Sequence, residues 1–269
     1  EGHVGHTINN NQKVFDKGFL GIKKDAEDRL ARLDLSDPDE LKKAPFLKGV
    51  IIAMEAVSEL GGRFADRARE LADTASDPAR KEELLEIAKV CDRIPAHPAR
   101  TFHEAIQTVW FIHILHWWET RNTAAVSPGR ADQYLYPFYS RDLAEGTLTQ
   151  ERAQELIDTF LLRFSRYRAF ASAEPSGYLA EALWGNTHHT DVGGYKPDGS
   201  DGTNDLSYMF IEGMMHSRMH EPNFGVLVHS KTPESFLIKA GQLVALGSGQ
   251  PMFLNHDAIV TSMLSRGDL

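Results

Sequence analysis

The chain has 269 residues, 42% hydrophobic and 25% charged, which is the balance of a globular protein with room for one large domain or two small ones. Its net charge of −9, from 29 basic and 38 acidic residues with no basic run, argues against a nucleic-acid partner. A single cysteine, Cys91, excludes an intrachain disulfide, and no apolar run approaches the roughly 18 residues of a membrane span.

The first part reads as helices. In "NNNQKVFDKGFLGIKKDAEDRLARL" the residues Val14, Phe15, Phe19, Leu20, Ile22, Leu30 and Leu33 recur near a helical period. "SDPDELKK" opens a second helix, with Ser36 as the cap and Pro38 in the first turn. Val50, Ile51, Met54, Val57, Leu60 and Phe64 carry the pattern onward, and "SDPARKEELLEIAKVCDRIP" is another capped helix that ends at Pro95. "TFHEAIQTVWFIHILHWWE" is apolar nearly all round and predicts a helix buried on several sides. A further helix follows Thr149 as its N-cap.

After Pro175 the texture changes. "TDVGG" is a short apolar piece ending in a glycine pair, "YKPDGSDGTND" is a loop, and "LSYMFIEGMMHSRM" is helical. "EPNFGVLVHS" alternates and predicts a strand. "TPESFLIKAGQLVALGSG" is a helix with Thr232 capping, Pro233 first and Gly247 at its end. "QPMFLNH" is a short strand and "DAIVTSMLSRG" a last helix. Strand–helix–strand spacing predicts parallel β/α units. The expected fold is therefore α/β: a helical part over 1–175, then the first β/α units over 176–269. Both ends read as cut, because Glu1 is not a Met and the chain stops just after a helix pattern; a fragment is the expectation.

Six stretches carry a resemblance. "GHTINNNQKVFDKGFLGI", "IAKVCDRIPAHPARTFHEAIQTVWF", "SPGRADQYLYPFYSRDL", "DGTNDLSYMFIE", "EPNFGVLVH" and "GQPMFLNHDAIVTSMLSRG" follow one another in the order found in glycyl radical enzymes. The chain resembles the dehydratase, lyase and decarboxylase branch of that pyruvate formate-lyase-like family, near cobalamin-independent glycerol dehydratase. The resemblance implies a ten-stranded α/β barrel, incomplete in this chain. One finger loop of the barrel carries a thiyl cysteine. A second carries a glycyl radical, installed by a separate S-adenosylmethionine iron–sulfur activase. Both loops are expected beyond Leu269, so no catalytic residue is assigned here and residues 1–269 alone are expected to be inactive. The resemblance further implies thiyl-radical hydrogen abstraction from a small substrate, a homodimer, no metal, no membrane or nucleic-acid partner, and a cytoplasmic location. An acyltransferase like pyruvate formate-lyase and a non-catalytic truncated paralogue or scaffold are the alternatives.

The resemblance also supplies candidate site residues. His6 matches a substrate-contacting histidine. Ala124 and Ala125 stand where diol dehydratases carry a His–Ser pair, and Arg121 appears nearby. Two lost polar groups and a guanidinium point to a carboxylate or sulfonate substrate; Arg121 at a helix end facing solvent is the competing reading. Arg130, Asp132 and Gln133 are expected to be structural, as a local ion pair and a backbone contact that hold the loop before them. His188 and His189 open a strand, so at most one of them faces a pocket, and His188 is the candidate. Phe253 and Asn255 end another strand, where parallel β/α proteins concentrate their sites. His113 and His116, and His216 and His220, have helical spacing but read as surface or satisfied core histidines. Cys91 reads as an inert helical thiol.

Overall fold

The structure, a computed structural model, describes residues 7–120, 126–164 and 188–267 and falls into two compact units. Residues 10–112 form a helical unit. Its first helix, α1 (Asn11–Ala31), starts at Asn10, whose side chain accepts from the Lys13 N–H at 3.1 Å. The helix is broken at Gly18, which has φ 64° and ψ 171°. There the Phe19 and Leu20 N–H groups bond the carbonyls of Pro95 and Ala96, at 3.1 and 3.0 Å. A Cβ at Gly18 would lie 2.4 Å from the Ala96 oxygen, so the break needs glycine for both conformation and space. Hydrophobic periodicity runs straight through this break, which is why the sequence alone shows one helix.

The short α2 (Pro38–Leu41) is capped by Asp37 rather than Ser36. The Ser36 hydroxyl instead donates to the Asp34 carboxylate at 2.6 Å. The long α3 (Ala44–Thr74) turns back into α4 (Pro78–Arg93), which Asp77 caps in the same way. The buried face of α3 is Gly61, Ala65, Ala68 and Ala72, at spacings of three and four. These small residues let α4 approach and bury Leu84, Ala88 and Cys91. The larger Met54, Val57 and Leu60 pack at the margins of the core. The next helix, α5 (Phe102–Thr120), buries Phe102, Ala105, Ile106, Val109, Phe111 and Ile112 along its whole circumference, as its composition predicts.

The other unit holds residues 1–9 and 113–269. Two very short strands, β1 (Thr7–Ile8) and β2 (Val126–Ser127), pair in parallel. Next come α6 (Ala131–Tyr134), α7 (Tyr136–Ala144) and α8 (Gln150–Phe164), the last begun by the Thr149 hydroxyl accepting from Arg152 N at 3.2 Å. A parallel three-stranded sheet follows, built from β3 (His189–Gly193), β4 (Asn223–Val228) and β5 (Met252–Asn255) in that order. Helix α9 (Asp205–Ser217) links the first two strands and α10 (Glu234–Ala245) the next two; α11 (His256–Arg266) leaves the third. Among the described residues the chain is thus a mostly helical α/β protein with few strands. Val192, Phe224 and Val226 of the sheet are fully buried, as are Phe210 and Ile211 of α9 and Phe236 and Leu243 of α10. Each such side chain stabilises the unit by about 1.5–3 kcal/mol relative to exposure. Thr232 does not cap α10: its hydroxyl takes the His229 N–H at 2.9 Å, and Pro233 becomes the residue before the helix.

Candidate functional site

Parallel strands gather their side chains and loop backbone at their C-terminal ends, and the three strands here do so with polar residues. The segment Ser127–Gln133 is clamped onto the end of β3. The Arg130 guanidinium donates to the Tyr195 carbonyl at 2.7 Å and also to the Gly193 carbonyl. The Asp132 carboxylate accepts from Gly193 N–H at 2.8 Å and from the Ser207 hydroxyl at 2.6 Å. Gln133 donates to the Gly202 carbonyl at 2.8 Å, and the Asn204 amide donates to the Asp132 carbonyl at 3.0 Å. The same Ser207 and Asn204 form the capping box of α9, so one carboxylate ties a helix start to a strand end.

Burial opposes both charges. It pushes the Asp132 carboxyl up to about 6, against the hydrogen bonds from Ser207 and Gly193 and the nearby Arg130. It lowers Arg130 from its ordinary value, with the carboxylates of Asp132, Asp191 and Asp201 acting in the other direction. The expected Arg130–Asp132 ion pair is not a direct contact: Arg130 donates to the Gly193 and Tyr195 carbonyls, Asp132 accepts from the Gly193 N–H and the Ser207 hydroxyl, and the two charges act on each other only through space.

Beyond the clamp, β3 ends at Gly193 and Gly194 follows it, at φ 76° and 80°. A Cβ on Gly194 would sit 2.6 Å from His256 Nδ1, and this bare backbone lets the Tyr195 N–H donate to that nitrogen at 2.9 Å. The Tyr195 ring stacks on His229 at 3.8 Å, and its hydroxyl donates to Asp257 at 2.6 Å. His229 Nδ1 accepts from Lys231 N–H at 3.1 Å, and its Nε2 lies 3.1 Å from the Asp201 carboxylate. Burial lowers His256, with Arg130 and His229 adding to the effect. Tyr195, His229 and Asp257 were not among the sequence candidates, although His229 and Asp257 fall inside two of the stretches that carry the resemblance; the available signal was their position at or just after the end of a predicted strand.

Of the sequence candidates, His6, Arg121, Ala124 and Ala125 lie outside the described residues. His188 is fully buried, and its Nδ1 donates to the Val126 carbonyl at 2.8 Å. Its neighbours are the rings of His113 and Phe164, and burial lowers its affinity for protons. Phe253 is exposed on β5. Asn255 caps α11 by accepting from Ala258 N–H at 3.0 Å. His216 bonds Asp158 at 2.8 Å, and α9 ends at Ser217, so His220 does not share its helical face. No group of three or more metal-binding side chains is arranged as a site among the described residues. Cys91 sits in the helical unit among Ala65, Ala88, Ile94 and Phe111, and burial pushes its thiol up to about 12. Such a thiol is neither exposed nor ionised at neutral pH.

A family model described as pyruvate formate lyase-like matches residues 1–269. Trans-4-hydroxy-L-proline dehydratase of Clostridioides difficile is 39% identical over 269 residues, covering 98% of this chain and 33% of that protein. Isethionate sulfite-lyase of Nitratidesulfovibrio vulgaris is 36% identical over 261 residues, covering 97% and 31%. The glycerol-bound B12-independent glycerol dehydratase of Clostridium butyricum superposes with a TM-score of 0.91 at 36% identity, over 99% of this chain and 33% of that one. The chain thus spans about a third of the length of the curated relatives it matches. With the family model and these relatives in agreement from end to end, the chain belongs to the pyruvate formate lyase-like family of glycyl radical enzymes.

Proposed function

We propose that this chain is part of a glycyl radical C–X lyase, a dehydratase, decarboxylase or sulfite-lyase, acting on a small anionic substrate. The observation that carries this reading is the end-to-end match to relatives named as a dehydratase and a sulfite-lyase. On this reading β3, β4 and β5 are successive strands of a ten-stranded barrel, and the clamp of Arg130, Asp132 and Gln133 holds the substrate-facing segment before it. His6, Arg121, the Ala124–Ala125 pair, Phe253 and Asn255 are proposed to line the substrate pocket; His188, expected with them, is instead proposed to be a core residue, fully buried and bonded to the Val126 carbonyl. Of these, Asn255 already commits its oxygen to α11, which leaves only its amide for a ligand.

The radical chemistry itself is proposed for the longer protein. A glycyl radical, installed by an activase, would supply hydrogen abstraction through a thiyl, and Cys91 does not fit that thiyl position, being buried and held protonated. The residues of this chain would bind and orient the substrate and exclude water. A homodimer, an activating partner and a cytoplasmic location belong to the same proposal; no helix among the described residues is long and apolar enough to cross a membrane.

The test is to activate the full-length protein and confirm the radical by electron paramagnetic resonance. Isethionate, trans-4-hydroxy-L-proline and glycerol are then supplied as a panel. Release of sulfite or of a dehydrated product is expected. A radical-bearing enzyme that converts pyruvate and coenzyme A, and no lyase substrate, would replace this reading with the acyltransferase one. Arg121→Ala should raise the KM for an anionic substrate ten- to a hundredfold, as expected for a lost charged hydrogen bond.

A further inference from the structure

His188, just ahead of β3, and His189, its first residue, lie on opposite faces of the sheet. His188, Thr190 and Val192 are fully buried, whereas His189 and Asp191 are half-exposed on the other face. His189 Nε2 lies 2.6 Å from the Asp191 carboxylate. A carboxylate only accepts, so the proton sits on Nε2 and Nδ1 is the nitrogen that gains or loses one. The backbone of His189 is fixed in turn by its N–H, which donates to the Ser127 hydroxyl at 3.1 Å.

The neighbouring strand is shaped for this pair. Asp191 stands in register with Gly225 of β4. A Cβ at Gly225 would lie 2.0 Å from the Asp191 carboxylate oxygen and 3.1 Å from the Leu254 side chain. The carboxylate therefore occupies the volume that a side chain on β4 would fill. Glycine inside a strand is unfavourable on its own account, and it is found where something must approach the backbone closely. An incidental surface ion pair has no need of such a vacancy one strand away.

We infer that His189 and Asp191 form an acid–base pair, with Nδ1 of His189 exchanging a proton with a hydroxyl or leaving-group oxygen of a small ligand held on the half-exposed face of the sheet. When charged, the imidazolium gives its Nδ1 proton to the ligand oxygen and returns to the neutral ring, with the Nε2–H still on Asp191; no electron is transferred. The charged groups facing His189 are Asp191 on its own strand and Glu221 ahead of β4, and both favour the protonated ring. The uncharged neighbours are Ser127 of β2 and, in register on β4, Asn223. The identity of the ligand rests on the lyase reading above; the pairing of the two residues does not.

Two measurements separate these. Histidine-selective 15N NMR of the chain follows the tautomer and titration of His189. Asp191→Asn, and Gly225→Ala, which displaces the carboxylate without altering either partner, should each lower its midpoint by half a pH unit or more. A midpoint unmoved in both variants would overturn the pair. In the full-length activated protein, His189→Gln should reduce kcat/KM at least a hundredfold with the melting temperature unchanged, and Asp191→Asn should shift the pH profile of kcat/KM to lower pH. Full activity of both variants would also overturn the proposal. If the midpoint moves as expected but the wild-type protein shows no lyase turnover, it is the lyase reading that fails, while the acid–base pair stands.

Discussion

Asp132→Asn tests the clamp at the end of β3. In the wild-type protein the carboxyl is fully buried and its proton affinity is raised from 3.8 to about 6. A carboxyl that binds its proton more tightly when folded adds stability at low pH. That stability is complete below the unfolded value and is lost as pH rises through about 6. A tenfold change in proton affinity corresponds to about 1.4 kcal/mol, and about 1.4 kcal/mol of the whole effect falls between pH 5 and 8. The amide retains an oxygen for the Gly193 N–H and the Ser207 hydroxyl but has nothing to titrate. Urea unfolding followed by circular dichroism at the two pH values should show the wild type losing about 1.4 kcal/mol more than Asp132→Asn between pH 5 and pH 8. Parallel pH dependences would refute the reasoning, since they would mean that Arg130 and the two donors keep Asp132 ionised in spite of its burial.

Gly18→Ala should lower stability by about 2–4 kcal/mol in thermal denaturation, because a Cβ there meets the Ala96 oxygen at 2.4 Å and φ is 64°. Asn255→Ala should cost about 1 kcal/mol by removing the cap of α11, again read from a melting curve. Cys91 should resist iodoacetamide at pH 8 in the native protein and react promptly in urea; fast labelling of the native state would contradict its burial and its thiol value of about 12.

The elements were legible where local chemistry decides them. The alternating, β-branched pattern around Asn223–Val228 shows a strand, and the apolar circumference of Phe102–Thr120 shows a buried helix. The α3–α4 contact was not, because its buried face is glycine and alanine and carries little hydropathy signal. The two-residue strands β1 and β2 were also missed: a strand that short has no periodicity, and it exists only through a partner more than a hundred positions away. Of the site, the polar trio Arg130, Asp132 and Gln133 stood out as a cluster, but its partners could not be read, since Gly193, Tyr195 and Gly202 offer backbone atoms that any sequence has. The alternation rule limited a pocket to one of His188 and His189, while the choice between them depends on which face the helices cover.

The clamp also bears on the order in which the molecule assembles. Its bonds join residues 61 to 75 positions apart, whereas α3 and α4 meet across a short turn. Chain entropy must be lost before such distant partners can meet, so the α3–α4 hairpin belongs to the early, low-contact-order part of folding. The end of β3 belongs to the late part. Substitutions at Asp132 or Ser207 should then act mostly on the unfolding rate, and those at Ala65 or Ala68 on the folding rate.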